Sequence, residues 1–460
     1  MNRSKRIYIL LAVLAAVCLA TFAATKLVQR QEKIRNSEDV ILSVPADAVT
    51  GLSWSYDEES LAFSKDADGV WRWEEDEAFP VSGERINELL AVFSDFSVSF
   101  AIEDVEDYSQ YGLDAPVCTI TLTTEDETYT LTLGDFSKLD SQRYVSIGDG
   151  NAYLVRTDPM DSYELTIRDM IANDPALEYD AVSAVHIVGA ETWDIRYSEE
   201  ENRSVCAEDR YYTGDLPLDT SRVDSYLSSL CALSLTDYVS YNVTDAELET
   251  YGLNDPEMSV TVDYTDEDGT EGSYTLHLSR SAAERADDTE ETDEDGASVA
   301  YTRVGDSQII YEISAATFEK LSAATYNDLR HQAAFTADFS YAVSIEVTLE
   351  EQTFTLTAPA DADDADGKWL YGEEEIEISD VQAALEALAA SEFTEESPAG
   401  QEEIALTVFL DNEAFPSVRI VLYRYDGASC LATVDGEPFA LIPRAQMVDL
   451  VEAIQAIVLN

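Results

Sequence analysis

Basic residues are scarce in this chain: 27 lysines and arginines stand against 93 aspartates and glutamates, for a formal charge of −66. A charge of that sign repels phosphate backbones and anionic lipid heads inside a Debye length, so nucleic acid is excluded as a partner. Histidine is scarcer still. The three present, His186, His277 and His331, share no ligand spacing and give no grounds for a zinc site. The five cysteines contain no CxxC or comparable ligand pair. Cys118 alternates with Ile120 and Leu122, and Cys231 lies beside Leu227 and Leu230, so both read as small core residues. With Cys206 and Cys430 they could form two disulfides in an oxidising compartment. A GxSxG elbow, an HExxH pair, a GxxxxGK[ST] loop and a strand-linked GxGxxG are all missing. No catalytic, cofactor-binding or metal-ligating residue is therefore assigned, and the chain is read as non-enzymatic with no cofactor. Carboxylate acid–base chemistry has no locatable centre, which leaves an unrecognised hydrolase as an alternative.

Long hydrophobic runs are also missing, with one exception. Residues 7–25, IYILLAVLAAVCLATFAAT, carry no charge. At 1.5 Å per residue, about 19 residues just span a hydrocarbon core of roughly 30 Å. Arg3, Lys5 and Arg6 precede the run, and Lys26, Arg30, Lys33 and Arg35 follow it, so the flanking charge is nearly balanced. A short basic tail before the first apolar segment is the usual form of a signal that stays cytoplasmic while the rest is exported. The segment is read as an uncleaved transmembrane anchor with the bulk of the chain extracytoplasmic. Cleavage after the small residues Thr21 and Ala23 is the competing reading, and lipoprotein processing at Cys18 is disfavoured by Val17. Asn202 and Asn242 begin N-x-S/T sequons, which carry meaning only where the source glycosylates.

What is present is repetition. YGLDAP at 111–116 returns as YGLNDP at 251–256. Before each hexapeptide stands a helical stripe: Ile86, Leu89, Leu90 and Phe93 after Ser82, then Val223, Tyr226, Leu227 and Leu230 after Asp219 and Thr220. A third stripe, Val381, Ala384, Leu385 and Leu388, follows Ser379 without a hexapeptide. In front of the first stripe, strands over 49–56 and 61–63 lead to an Asp68-Gly69 hairpin turn and to Trp71 and Trp73 on one face. After it come three alternating segments, CTITLTT, YTLTLGD and RYVSIGDGNAYLV, and a closing helix over 163–171. The second copy has MSVTVDYT, YTLHLS, AYTRVGDSQIIYEI and a helix over 315–329. The third has EIALTVFL, VRIVLYRY, CLATVDGEPFALI and a helix over 445–458. Each apolar sheet face needs a helix to cover it, so the fold class is α+β: an N-terminal transmembrane helix followed by three repeated units of antiparallel sheet.

The organisation expected is an anchor over 1–28, a stalk over 29–39, and units over 40–175, 176–332 and 333–460, the last degenerate. The acidic stretch 284–296 is read as a solvated insert in the second unit. The YGL(D/N)xP segment is read as a strand-entry turn. Gly112 and Gly252 take positive φ, Pro116 and Pro256 extend the preceding residue, and Leu113 and Leu253 plug the core. Calcium is a weaker possibility. Asp361, Asp363, Asp364, Asp366 and Gly367 resemble a cation loop, with Asp364, Asp366 and Glu373 in ligand positions but Ala362 in the first. In the first unit Asp66, Asp68 and Gly69 are similar, with Ser64 in that first position. Hairpin turns are the better reading of both, with weak calcium binding as the alternative.

One combination resembles a known family. It comprises the anchor, the Lys65, Asp68, Gly69, Trp71 hairpin, a helix, YGL(D/N)xP, strands ending in GD, and a Y-V/T-x-x-G-D segment. Together these are similar to the bacterial family catalogued as domain of unknown function 4340, over about 40–330 and loosely beyond. The resemblance implies a membrane-associated protein, some of whose relatives are encoded beside gliding-motility-type ABC transporter components, with no catalytic residues to carry over. The expected function is an accessory or scaffolding component of an ABC-type transport complex, with a permease or ATPase subunit as possible partner. The alternative is an extracytoplasmic binding module for cations or a cell-envelope ligand.

Overall fold

Period-two alternation puts one apolar face on each strand, and the strands pair so as to bring those faces together. In the computed structural model the described residues are 39–459 without 58, 104, 200–208, 288–298, 360–367 and 414, together with residue 21. Apart from Thr21 and Asp39, the anchor and stalk lie outside the described residues. So do Cys18, Asn202, Cys206, most of the acidic insert and the run 361–367. Among the described residues no helix is long and apolar enough to cross a membrane.

Three antiparallel sheets of nine strands result. The first contains β1 (Val40–Leu42), β2 (Val49–Tyr56), β3 (Glu59–Lys65), β4 (Trp71–Trp73), β5 (Phe96–Ile102), β6 (Cys118–Thr124), β7 (Thr128–Ser137), β8 (Gln142–Ser146) and β9 (Ala152–Val155). The second contains β10 (Ala181–Val188), β11 (Thr192–Tyr197), β12 (Tyr211–Thr213), β13 (Leu216–Pro217), β14 (Tyr238–Ser240), β15 (Met258–Thr265), β16 (Glu271–Arg280), β17 (Val299–Val304) and β18 (Ile310–Ser314). The third contains β19 (Ala342–Leu349), β20 (Gln352–Thr357), β21 (Trp369–Tyr371), β22 (Glu374–Ile376), β23 (Glu392–Phe393), β24 (Glu402–Leu410), β25 (Ser417–Arg424), β26 (Ser429–Val434) and β27 (Glu437–Pro443).

Eight strands of each sheet follow one order: β4-β3-β2-β6-β7-β8-β9-β5, then β12-β11-β10-β15-β16-β17-β18-β14, then β21-β20-β19-β24-β25-β26-β27-β23. The ninth is an added edge strand, β1, β13 or β22. A pairing irregularity recurs at one place in all three, between Val49 and Gly51, Val182 and Ala184, and Ala342 and Ser344. Order and irregularity together make these three copies of one unit. The chain forms two compact units, one ending at Asp174 and one beginning at Pro175, the latter carrying the second and third sheets. Within that latter unit the Arg330 guanidinium lies over Tyr326 of the second repeat and Phe393 and Phe439 of the third, 4.9, 4.3 and 5.4 Å from the ring centroids.

The stripe helices form where the periodicity places them. Gly83–Ala91 is capped by Ser82, whose hydroxyl accepts from Arg85 N, and Ile86, Leu89, Leu90 and Phe93 are all buried. Thr220–Cys231 is capped by Asp219 and buries Val223, Tyr226, Leu227 and Leu230. In the third, Ser379–Glu386, Ser379 is the first helical residue rather than a cap, and Ala384 is only half-buried.

Several expectations are corrected. Each meander has four strands rather than three, because positive-φ glycines at Gly148, Gly305 and Gly436 fold the last segment into a hairpin. The single closing helices expected over 163–171 and 315–329 are each two short pieces, Met160–Tyr163 with Ile167–Met170, and Ala315–Ser322 with Tyr326–Leu329. Thr166 and Thr325 restart the chain, their backbone N–H groups donating to Asp169 and Asp328 at 2.8 and 2.9 Å, a local arrangement that competes with a continuous helix. These restarts clamp the stripe helices. Ser82 N donates to Met170 O at 2.8 Å, and Asp219 N to Leu329 O at 3.1 Å. Glu284, placed in the solvated insert, belongs to a short helix Ala282–Asp287 that Ser281 opens.

The YGL turn has the glycine conformation expected, with φ of 68° at Gly112 and 73° at Gly252, and Leu113 and Leu253 are buried. It is also a helix exit. Gly112 ends the 3-10 turn Tyr108–Tyr111, and Gly252 follows the helix Asp245–Thr250. The preceding tyrosines meet the tyrosines of the Y-V/T-x-x-G-D segment, Tyr111 on Tyr144 and Tyr251 on Tyr301, at centroid distances of 4.9 and 4.6 Å. Gly134 of the GD pair lies against the same turn: a Cβ there would stand 2.2 Å from Tyr111 O. Hexapeptide, GD and Y-V/T-x-x-G-D are thus three parts of one packing unit.

Candidate functional site

The acidic turns close hairpins. Asp66 Oδ1 accepts from Val70 N and Asp68 N at 2.9 and 3.0 Å, and Oδ2 accepts from Arg72 Nε at 3.0 Å. The Val70 N–H, then Arg72, hold its carboxyl below the usual range. Its oxygens are engaged in closing the hairpin, and Ser64 pairs with Arg72 across β3 and β4. Lys65 Nζ sits 5.0 Å over the Trp71 ring, which gives the Lys65–Trp71 motif a cation–π role. Asp266 builds the same turn between β15 and β16, accepting from Asp268 N and Thr270 N. Among the described residues no group of three or more His, Cys, Asp or Glu is placed to hold a metal ion.

The three histidines do not converge. His186 Nδ1 lies 2.8 Å from Asp194 Oδ1 on β11, and Nε2 lies 3.0 Å from Asp263 Oδ2 on β15. His277 Nδ1 lies 2.8 Å from Ser259 Oγ, and burial, then the Arg303 charge, lowers its pKa. His331 Nε2 is 3.0 Å from both oxygens of the buried Asp209. Cys118, Cys231 and Cys430 are free, and burial pushes the Cys118 thiol up to about 12, which makes it inert rather than nucleophilic.

The hydrogen bond to Asp194, then that to Asp263, raises the His186 pKa. A raised folded pKa gives a stabilising contribution that is complete below the unfolded value of about 6.5 and is lost as pH rises through the folded value. The difference in urea midpoint between the wild type and His186→Gln is therefore expected to be largest under mildly acidic conditions and to shrink on the alkaline side. Solvent screening at this half-exposed site keeps it small. A difference that grows with pH would contradict the clamp.

Two depressions flank the helix Ala315–Ser322, and the break after it makes one of them. Phe318 and Ser322 face a cavity of about 200 Å³ with Ile187, Met258, Ala324 and Glu257 in its wall. Ala324 sits in the break, so a helix continuous to Leu329 would have hidden this site. Ser322 Oγ is buried with no hydrogen-bond partner. Burial opposes ionisation of Glu257, but Arg280, donating from Nη2 at 2.7 Å and from its backbone N at 2.8 Å, outweighs it and holds the carboxyl below its usual range. Thr317, Lys320 and Leu321 face an open cleft of about 440 Å³ whose wall includes Asp237 and Glu312, neither of them ion-paired to Lys320.

Comparison with known families fits this architecture. The family described as domain of unknown function (DUF4340) matches residues 71–212 and again 209–406. The chain belongs to this family. The DUF4340 match starts later than the resemblance suggested, at Trp71 in β4, and reaches farther, to Leu406 in β24. Its period is out of phase with the sheets: each match begins near the end of one hairpin and runs through the meander into the next sheet. No curated protein and no solved structure matched the chain.

Proposed function

We propose that this chain is a non-enzymatic, single-pass, membrane-anchored extracytoplasmic protein that acts as an accessory or scaffolding component of an ABC-type membrane transport complex. The observation that carries the reading is one sheet topology built three times behind a single apolar segment. Repeated sheets supply binding surface in quantity, and a lone anchor holds that surface at the membrane. The DUF4340 resemblance, some of whose members are encoded beside transporter components, supports the same direction.

The test is crosslinking of the tagged chain in its native membranes, followed by mass spectrometry. Recovery of an ABC permease or ATPase is expected, together with loss of membrane retention when residues 1–28 are deleted. A chain that alkaline carbonate strips from membranes, or one that crosslinks to no transport subunit while intact and abundant, would overturn the proposal. The second reading, a cation-binding module, is favoured by the charge of −66 and would show as calcium binding in calorimetry at physiological salt.

A further inference from the structure

The solvent side of the first sheet differs from the rest of this acidic chain. Strands β3, β2, β6 and β7 turn Leu61, Phe63, Leu52, Trp54, Ile120, Leu122, Leu131 and Leu133 into the core. The alternate positions form a lattice of three rows and four strands: Ser60, Ser55, Thr119 and Thr132; Ala62, Ser53, Thr121 and Thr130; Ser64, Gly51, Thr123 and Thr128. Ten of these twelve residues carry a hydroxyl, none carries a charge, and all are half-buried or exposed. Among the described residues only Thr132 of the ten places its hydroxyl on a protein partner, Ser146 O at 3.5 Å.

The other two sheets are internal controls, because their strand order and pairing irregularity match. The corresponding positions of the second sheet include Asp194, Arg196, Asp263, His186 and His277. Those of the third include Glu346, Arg419, Phe409 and Val421. Threonine's strand preference acts on all three sheets alike, so topology alone does not clear one face of charge.

We propose that this face binds an extended, neutral polysaccharide, a property that goes beyond the scaffolding role. The charge pattern selects the ligand. A nucleic acid or an anionic membrane surface needs a field of lysine and arginine, and this face has only Arg72 at its edge, beside Ser64 and held by Asp66. A protein partner is held by aromatic, arginine and large apolar anchors, and beyond the engaged Arg72 the lattice offers none of these. An anionic polymer is repelled by the surrounding −66. What remains complementary is a neutral polyol. Hydroxyls both donate and accept, so serine and threonine can match sugar hydroxyls directly or through water. With strands about 4.8 Å apart and same-face side chains about 6.7 Å apart, the lattice is a flat platform of about 14 by 13 Å.

The full chain is run in native gels containing hydroxyethylcellulose, dextran or soluble starch, with alginate as the anionic comparison. Retardation by at least one neutral polymer and not by alginate is expected. Thr121→Val with Thr130→Val, facing each other in the central row, is expected to weaken it about tenfold. Thr355→Val with Thr407→Val on the third sheet is expected to leave it unchanged. Should the first variant fail to fold by circular dichroism, Ser53→Asp replaces it, with loss of retardation expected. Absence of retardation in all three neutral polymers would overturn the proposal, as would equal retardation of a folded central-row variant and the wild type. So would a concentration-dependent dimer abolished by Thr121→Val with Thr130→Val, which would assign the face to a second copy of the chain.

Discussion

Asp158→Ala is expected to destabilise the first sheet unit by roughly 3–5 kcal/mol, because it strands a buried charge. Arg143 Nε donates to both Asp158 oxygens at 2.7 and 2.9 Å, and the two side chains are only 14% and 12% exposed. Arg143 Nη1 donates to Gly134 O at 2.8 Å, so the guanidinium is fixed against the GD pair and cannot swing out to water without releasing the YGL packing unit. Asp158 also accepts from Met160 N at 3.0 Å, at the start of the helix Met160–Tyr163. Urea denaturation followed by tryptophan fluorescence reads the effect, since Trp54, Trp71 and Trp73 all report on this sheet. The paired replacement Arg143→Met with Asp158→Leu, which removes both charges and keeps the volume, is expected to recover much of the loss. A single replacement costing less than about 1 kcal/mol would show that water reaches the pair and that it is a surface ion pair in effect.

Gly252→Ala is expected to cost about 2–5 kcal/mol in the second sheet. Two causes add. At φ 73° a Cβ meets the left-handed penalty of about 1–2 kcal/mol, and there it would lie 2.4 Å from Arg280 O, a backbone atom of β16 with no freedom to rotate away. Forcing the strand aside is an overpacking cost of about 1–3 kcal/mol. Gly112→Ala tests the same turn in the first repeat, where the Cβ would meet the Asp135 carboxyl at 2.7 Å and Asp135 N at 2.9 Å. The carboxyl can rotate and the amide cannot, so Gly112→Ala is expected to be the milder of the two. Equal midpoints for wild type and Gly252→Ala in chemical denaturation would mean that the turn can shift bodily, against the packing described.

Local signals were legible. Ser82 with Ile86, Leu89, Leu90 and Phe93 reads as a capped helix because a 3.6-residue period and a cap are properties of one short segment; the structure places the cap and the first three so, and buries Phe93 just beyond the helix end. The Asp66–Gly69 hairpin was legible for the same reason. The strands β5, β14 and β23 were not, because each pairs with the last strand of its meander, dozens of residues away, and Tyr238–Ser240 is too short to show a period. The closing helices read as continuous because their apolar spacing runs on, while the restarts at Thr166 and Thr325 rest on a threonine and an aspartate three residues apart. The cavity beside Phe318 and Ser322 was hidden with them, since its wall is made by the break.

By itself the sequence determined that the chain is acidic, repeated, rich in alternating strands and headed by one apolar segment, because composition, repetition and periodicity are carried by neighbours along the chain. Only the tertiary structure decided the common strand order of the three sheets and the joining of hexapeptide, GD pair and tyrosines into one unit. It alone gathered serines and threonines from β3, β2, β6 and β7 onto one uncharged face. Those depend on which strands lie side by side, and antiparallel register brings together residues as far apart as Ser53 and Thr121, whose shared surface no local pattern encodes.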